Sequence, residues 1–259
     1  MSFISPCIKI RNLANLNTSQ TICCDNYSLF LVTDGAITAT AGKKVYHLEV
    51  GDIMLADKRE ICFIRGKGRV EGFAFDADEE PSLGAKRMDP QCYSLLGAIG
   101  EEIGPTLYPL LELLLINASR FEDLPASYSR DLSLFADAVD ELSDYIGGKI
   151  SVEELAEDLR ISLSHLKRIF AAYAGVGVHD YLNLLKICKA KELLLEGESV
   201  TLTAEKTGFA NQAYFSAAFK RIAGISPKDF AGSTVKRRPV GTTKIEAEKL
   251  RRNMPDYLL

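Results

Sequence analysis

Lys167 and Arg168 lie side by side in a stretch, Leu163 to Tyr173, whose apolar residues Leu163, Leu166, Ile169, Phe170 and Tyr173 recur at helical spacing. A helix that buries those five turns Ser164, His165, Lys167, Arg168 and Ala171 the other way. An ammonium and a guanidinium beside a hydroxyl on one outward stripe can pair with phosphate oxygens and donate to acceptors on base edges. A second stretch repeats the plan. There Tyr214, Phe215, Ala218 and Phe219 supply the packing face, and Gln212, Ala213, Ser216, Ala217 and Lys220 point outward. Two adjacent cations alone describe a solvated helix face; the recurrence is what turns the reading toward DNA.

Each stretch needs elements that hold it in place, and the sequence supplies them twice. Arg168-Ile169-Phe170, Ala174-Gly175-Val176 and His179-Asp180-Tyr181 return as Ala217-Ala218-Phe219, Ala223-Gly224-Ile225 and Lys228-Asp229-Phe230. Before the first copy, Ser151-Val152-Glu153-Glu154 is a capping box that starts a short helix with Val152, Leu155, Ala156 and Leu159 on its apolar face. That helix breaks at Arg160-Ile161, and Ser162 can cap the next one. The second copy has Leu202 to Thr207, a break at Gly208-Phe209, and Asn211 as the cap. These are two helix-turn-helix units in tandem, and Tyr181 to Leu195 reads as one long helix joining them. Recognition helices fixed in this way can enter adjacent major-groove segments about 34 Å apart.

The charge is divided to match. Residues 149 to 259 carry 18 Lys/Arg against 13 Asp/Glu, whereas residues 1 to 148 carry 13 against 22. A positive half-molecule can attract phosphate even though the whole chain has a net charge of −4. No apolar run approaches the roughly 18 residues that span a bilayer, and Met1 to Arg11 shows no secretory pattern, so a cytoplasmic protein without a membrane partner is expected. Cys7, Cys23, Cys24, Cys62, Cys92 and Cys188 form no C-x-x-C pair and no metal spacing with the three histidines. Reduced, packed thiols are the expectation.

From Tyr27 to Phe75 the pattern changes to short alternating apolar runs broken by glycine: Leu29 to Val32, a turn at Thr33-Asp34-Gly35, Ile37 to Thr40, Val45 to Leu48, Ile53 to Leu55, Ile61 to Ile64 and Val70 to Phe73. The spacing predicts a small antiparallel barrel or sandwich, and the order of its glycines resembles the cupin barrel. Pro81-Ser82 marks a boundary. After it, Leu107, Leu110, Leu111, Leu114 and Leu115, then Leu132, Phe135, Ala136, Val139, Leu142 and Ile146, recur at helical spacing. The fold class is therefore α+β: a cupin-like β-barrel at 1–85, a helical linker at 90–147 that could mediate dimer contact, an all-α domain with two helix-turn-helix units at 148–231, and a charged tail at 232–259. Lys236-Arg237-Arg238 and Arg251-Arg252 in that tail read as disordered before they read as a phosphate contact.

Gly208-Phe209, Tyr214-Phe215, Phe219-Lys220-Arg221 and Gly224-Ile225-Ser226-Pro227 with Phe230 resemble the C-terminal signature of the AraC/XylS family of bacterial transcription regulators, and Ile150 to Tyr181 resembles its first unit. The resemblance covers 148–231 strongly and the preceding barrel and linker more weakly. It implies promoter binding beside RNA polymerase, usually with activation of transcription, controlled by a small-molecule effector or partner protein through the N-terminal domain. By position it places DNA-facing sites on Ser164, Lys167 and Arg168 in the first recognition helix and on Gln212, Ala213, Ser216 and Ala217 in the second, with Lys220 alongside. Ala217 stands where many relatives have arginine, so the first helix is expected to dominate base discrimination. Thr203 and Thr207 occupy positions usually apolar, which predicts looser packing in the second unit or binding partly through DNA shape.

The rival reading makes the barrel a small-molecule binding protein or a metal-dependent enzyme. Thr38 to Glu49 holds only His47 where a cupin metal site needs paired histidines and a carboxylate, so no metal, cofactor or catalytic residue is assigned. No G-x-S-x-G, P-loop or G-x-G-x-x-G occurs either. For an effector, Phe30, Tyr46, Met54 and Phe63 are candidate liners, although a place in the packed core suits each of them better.

Overall fold

The computed structural model describes residues 4–10, 19–77, 80–92, 107–148 and 150–235. The tail from Lys236 onward, including its two basic clusters, lies outside the described residues, as do the side chains of Leu107 and Leu110. Contacts divide the chain into two compact units. One is built from the residues up to Ser133, the other mainly from Leu134 to Ala172 and from Val176 onward.

The first unit is an antiparallel sheet of eight strands: β1 (Ile4–Ile10), β2 (Gln20–Cys23), β3 (Tyr27–Ala41), β4 (Lys44–Glu49), β5 (Asp52–Ala56), β6 (Ile61–Ala77), β7 (Gly84–Arg87) and β8 (Glu122–Asp123). Their pairing runs β1-β6-β3-β5-β7-β8, with β2 added to β6 and β4 to β3. That is an open path, so the closed barrel expected from the alternating runs is replaced by a sheet whose hydrogen bonding does not return on itself among the described residues.

Two expected breaks are absent. Thr33-Asp34-Gly35 does not turn the chain; β3 runs through it for 15 residues, and β6 likewise joins the two runs on either side of Gly66 and Gly68. The register of β3 against β6 shifts between Val32 and Asp34, and Gly35 has φ +70°. A Cβ there would lie 2.3 Å from the carbonyl oxygen of Lys67. The glycine therefore makes a bulge in a continuous strand, which a sequence of turn-forming residues cannot be told apart from.

Side chains alternate across this sheet. Phe30, Val32, Ile37, Tyr46, Leu48, Met54, Cys62, Ile64 and Val70 gather in one buried cluster. On the opposite face Leu29, Leu31, Ile53, Leu55, Phe73 and Phe75 pack under Leu111, Leu114 and Ala118 of α1 (Leu107–Ala118). Each fully buried Leu or Phe in these layers contributes about 1.5–3 kcal/mol. The buried Asp52 carboxylate accepts from Arg87 Nε at 2.9 Å and Nη2 at 3.1 Å and from the Glu49 backbone N–H at 2.9 Å, which ties β7 to β5. Cys24 and Cys62 are buried free thiols with sulfurs 3.7 Å apart. Cys23 and Cys188 each stand in a disulfide, against the expectation of reduced thiols throughout. Oxidation depends on which sulfurs approach in space, and spacing along the chain does not reveal that.

The second unit is helical. It contains most of α2 (Arg130–Asp144), then α3 (Val152–Asp158), α4 (Leu163–Tyr173), α5 (Val178–Leu195), α6 (Val200–Lys206), α7 (Gln212–Ala223) and α8 (Pro227–Val235). Phe135 of α2, Phe170 of α4 and Tyr181 of α5 meet edge to face, with ring centroids 5.2, 5.4 and 5.8 Å apart. A second aromatic series, Phe209, Phe215, Phe219 and Phe230, runs through the core formed by α5 to α8. The connecting helix α5 starts at Val178, one turn earlier than its apolar pattern suggested, because Gly177 enters it in extended conformation. Among the described residues no helix is long and apolar enough to cross a membrane.

Candidate nucleic-acid interface

The two helix-turn-helix units are built by the same bonds. In the first, the N–H of Arg160 donates to Glu157 O at 2.9 Å and that of Ile161 to Ala156 O at 3.0 Å. In the second, Gly208 donates to Glu205 O at 2.9 Å and Phe209 to Ala204 O at 3.0 Å. Each pair closes a short helix through a left-handed residue, Arg160 at φ 55° and Gly208 at φ 67°. The recognition helices then start on side-chain caps: Ser162 Oγ accepts from the His165 N–H at 3.2 Å, and Asn211 Oδ1 from that of Tyr214 at 2.8 Å.

At the head of the first unit Ser151 Oγ accepts from the Glu154 N–H at 3.0 Å, while Glu154 accepts from the Ser151 N–H at 2.8 Å. The reciprocal cap expected from the sequence is therefore formed. These bonds, first the one from the Ser151 backbone, hold the Glu154 carboxyl below its ordinary value.

On α4, Leu166, Ile169 and Phe170 are buried, whereas Ser164, Lys167, Arg168 and Ala171 are exposed and His165 is half-buried. The structure thus brings Ser164, Lys167 and Arg168 onto one solvent-facing stripe. On α7, Phe215, Ala218 and Phe219 are buried; Gln212, Ala213, Ala217 and Lys220 are exposed and Ser216 is half-buried. Tyr214 departs from its expected place in the packing face. It is 46% exposed, its ring tilted against Phe209 at 5.8 Å. Phe209 and Phe215 pack edge to face in the core beneath it, and Tyr214 adds an aromatic to the first turn of the outward face.

Three contributors were not legible from motif spacing. Thr201 on α6 donates its hydroxyl to Gln212 Oε1 at 3.2 Å. Lys186, in the middle of α5, is buried; its ammonium donates to Gly208 O at 3.0 Å and sits 5.6 Å from the Phe209 ring centroid. Burial pulls its pKa below the ordinary lysine value. Its place four residues after Leu182 and four before Ala190, on the apolar stripe, was the one available signal. Arg221 forms an ion pair with Asp180 at 3.7 Å across α7 and α5. Thr203 of α6 and its C-cap Thr207 are both fully buried: Thr207 Oγ1 donates to Thr203 O at 2.6 Å, and Thr203 Oγ1 has no partner among the described residues.

Of the candidate effector liners, Phe30, Tyr46 and Met54 share one buried cluster of the sheet unit. Phe63 does not join them. It lies between Cys62 and Ile64 on β6, which do belong to the cluster, and so projects from the other face. Burial raises the Tyr46 hydroxyl pKa above its ordinary value.

A family model described as a helix-turn-helix domain matches residues 155–233. The transcriptional activator RhaS of Escherichia coli O139:H28 is 36% identical over 124 residues, 48% of this chain and 43% of the relative. An uncharacterised HTH-type transcriptional regulator of Staphylococcus aureus strain COL is 34% identical over 115 residues, 42% of this chain and 15% of the relative. The chain therefore spans less than half the length of these curated relatives. The solved structure of ToxT from Vibrio cholerae O395 aligns with 88% of this chain and 96% of its own at 14% identity and a TM-score of 0.43, too loose a likeness to carry an argument. What these matches share is the domain at residues 155–233, a helix-turn-helix domain similar to those of bacterial transcription regulators.

Proposed function

We propose that this protein is a sequence-specific DNA-binding transcription regulator that activates promoters, and not an enzyme. One observation carries the reading: two units closed by the same turn bonds each present a capped helix with an exposed outer stripe, Ser164, Lys167 and Arg168 in one and Gln212, Ala213, Ala217 and Lys220 in the other. Double-stranded DNA is the partner that such a pair fits, as two boxes about one helical turn apart. The likeness to RhaS, a transcriptional activator, supports activation and with it a contact to RNA polymerase.

In this reading the sheet unit is a cupin-like sensing module, and a small-molecule effector or a regulatory protein acts through it. The cluster around Phe30, Tyr46 and Met54 is the place for a small molecule. Leu113 and Ile116, exposed on α1 beside its buried stripe, are the surface for a homodimer. The work of such a protein lies in the cytoplasm.

Selection of bound fragments from sheared bacterial DNA by the purified full chain tests the core of this reading. Enrichment of a two-box motif with a centre-to-centre spacing of about 10 base pairs is expected. Recovery of fragments with no shared motif, or no recovery at all, overturns it.

A further inference from the structure

Gln212 is the first residue of α7, and the Asn211 cap fixes the turn that carries it. Its side chain is not left to rotate freely. The Thr201 hydroxyl, on the second residue of α6, donates to Gln212 Oε1 at 3.2 Å, and both residues are exposed on the same side of the unit. This matters because glutamine is ambiguous as a reader. With carbonyl and amide side by side facing a base, it accepts from adenine N6–H₂ while donating to adenine N7. With the carbonyl turned aside, only the amide N–H groups remain, and these match a base edge that offers acceptors: guanine O6 and N7, or thymine O4.

We infer that Thr201 is a positioning residue that decides which base Gln212 reads: by holding the Gln212 carbonyl toward α6 it makes Gln212 a donor, so that the second box carries guanine or thymine, not adenine, at that position. The inference rests on the DNA-facing role proposed for Gln212. It adds a determinant that touches no DNA itself. An exposed hydroxyl alone would be a weak anchor in water, but here the carbonyl needs only to be kept out of the plane of a bidentate adenine contact.

The test is competition binding of the full chain to DNA duplexes that carry each of the four base pairs in turn at every position of the second box. Wild type is expected to discriminate against adenine about fivefold or more at one position, the ratio of a single good base contact. Thr201→Val keeps the branched shape and removes the hydroxyl; it is expected to shift that position toward adenine by about fivefold, with the other positions unchanged. Thr201→Ser restores the wild-type order. Gln212→Ala flattens the same position in both backgrounds. An unchanged profile in Thr201→Val with a wild-type melting temperature overturns the inference, as does a wild type that already selects adenine there, while the DNA reading stands. If Gln212→Ala alters no position, the role of Gln212 fails first and the inference with it.

Discussion

Lys186 Nζ donates to the carbonyl of Gly208 at 3.0 Å, so the long helix α5 is bonded directly to the turn of the second helix-turn-helix unit. The same residue closes the turn before the recognition helix through its N–H, which donates to Glu205 O. A buried cation bound to a backbone oxygen is a strong junction only while both partners are present. Lys186→Ala is expected to destabilise the second unit by about 1.5–3 kcal/mol, from the charged hydrogen bond and the packed stem together. Urea unfolding followed by circular dichroism at 222 nm measures it; a change under about 0.5 kcal/mol would show that the bond does not brace the turn.

The two turns differ at one residue in a way that has opposite consequences. Arg160 holds φ 55° with a Cβ that this region disfavours, whereas Gly208 holds φ 67° without one. Arg160→Gly is expected to stabilise the first unit by about 0.5–1 kcal/mol, the relief of left-handed strain less the greater freedom of glycine in the unfolded chain. Gly208→Ala goes the other way, because its Cβ would lie 2.8 Å from the carbonyl carbon of Gly147 and 2.9 Å from its Cα. Thermal melts of the two variants should move in opposite directions.

Thr203 carries a buried hydroxyl without a partner among the described residues. Thr203→Val has nearly the same shape and removes the unmet donor, so a gain of about 1–2 kcal/mol is expected. Equal or lower stability in the variant would mean that the hydroxyl is satisfied in solution.

The capping box of the first unit sets an acid limit. The folded Glu154 carboxyl titrates below its ordinary value of 4.5, so its contribution is fully present above pH 4.5 and is lost as pH falls through the lower folded value. Glu154→Ala removes the carboxylate that accepts from the Ser151 N–H and keeps the Ser151 side-chain cap. It is expected to lower stability at pH 7 and progressively less below pH 4.5. A pH-independent difference between variant and wild type would rule the box out as the cause.

DNA binding should respond to charge on the outward stripes in a graded way. Arg168→Ala is expected to lose about 1–3 kcal/mol on a specific site and to relax preference within one box. Ala217→Arg restores a cation to the exposed face of α7. It should tighten binding and steepen the dependence of log K on log salt by about 0.9, the release of one further counterion. A salt titration by fluorescence anisotropy gives both numbers, and an unchanged slope in Ala217→Arg would place that face away from phosphate.

The helices of the second unit could be read from the chain because their burial is periodic: Leu166, Ile169 and Phe170, then Phe215, Ala218 and Phe219, fall where the 3.6-residue repeat puts them. The sheet was harder. Thr33-Asp34-Gly35 has the composition of a turn, yet a bulge uses the same residues, and only the pairing partner opposite decides between them. Contacts between side chains far apart in sequence left no pattern at all. Thr201 and Gln212 lie eleven positions apart on different helices, and Tyr214 rests its ring against Phe209 on the outward side. Lys186 shows a third kind of failure. A charge on an apolar stripe is ordinarily discounted, but here a carbonyl and a ring make room for it.

Phe135 lies before the boundary at which the helix-turn-helix match begins, and its ring closes the triangle with Phe170 and Tyr181. Anyone preparing the helix-turn-helix half for structural or screening work should therefore cut the chain upstream of α2. A fragment starting at Ile150 would present two bare aromatic edges to water, and its poor behaviour would be an artefact of the cut rather than a property of the protein.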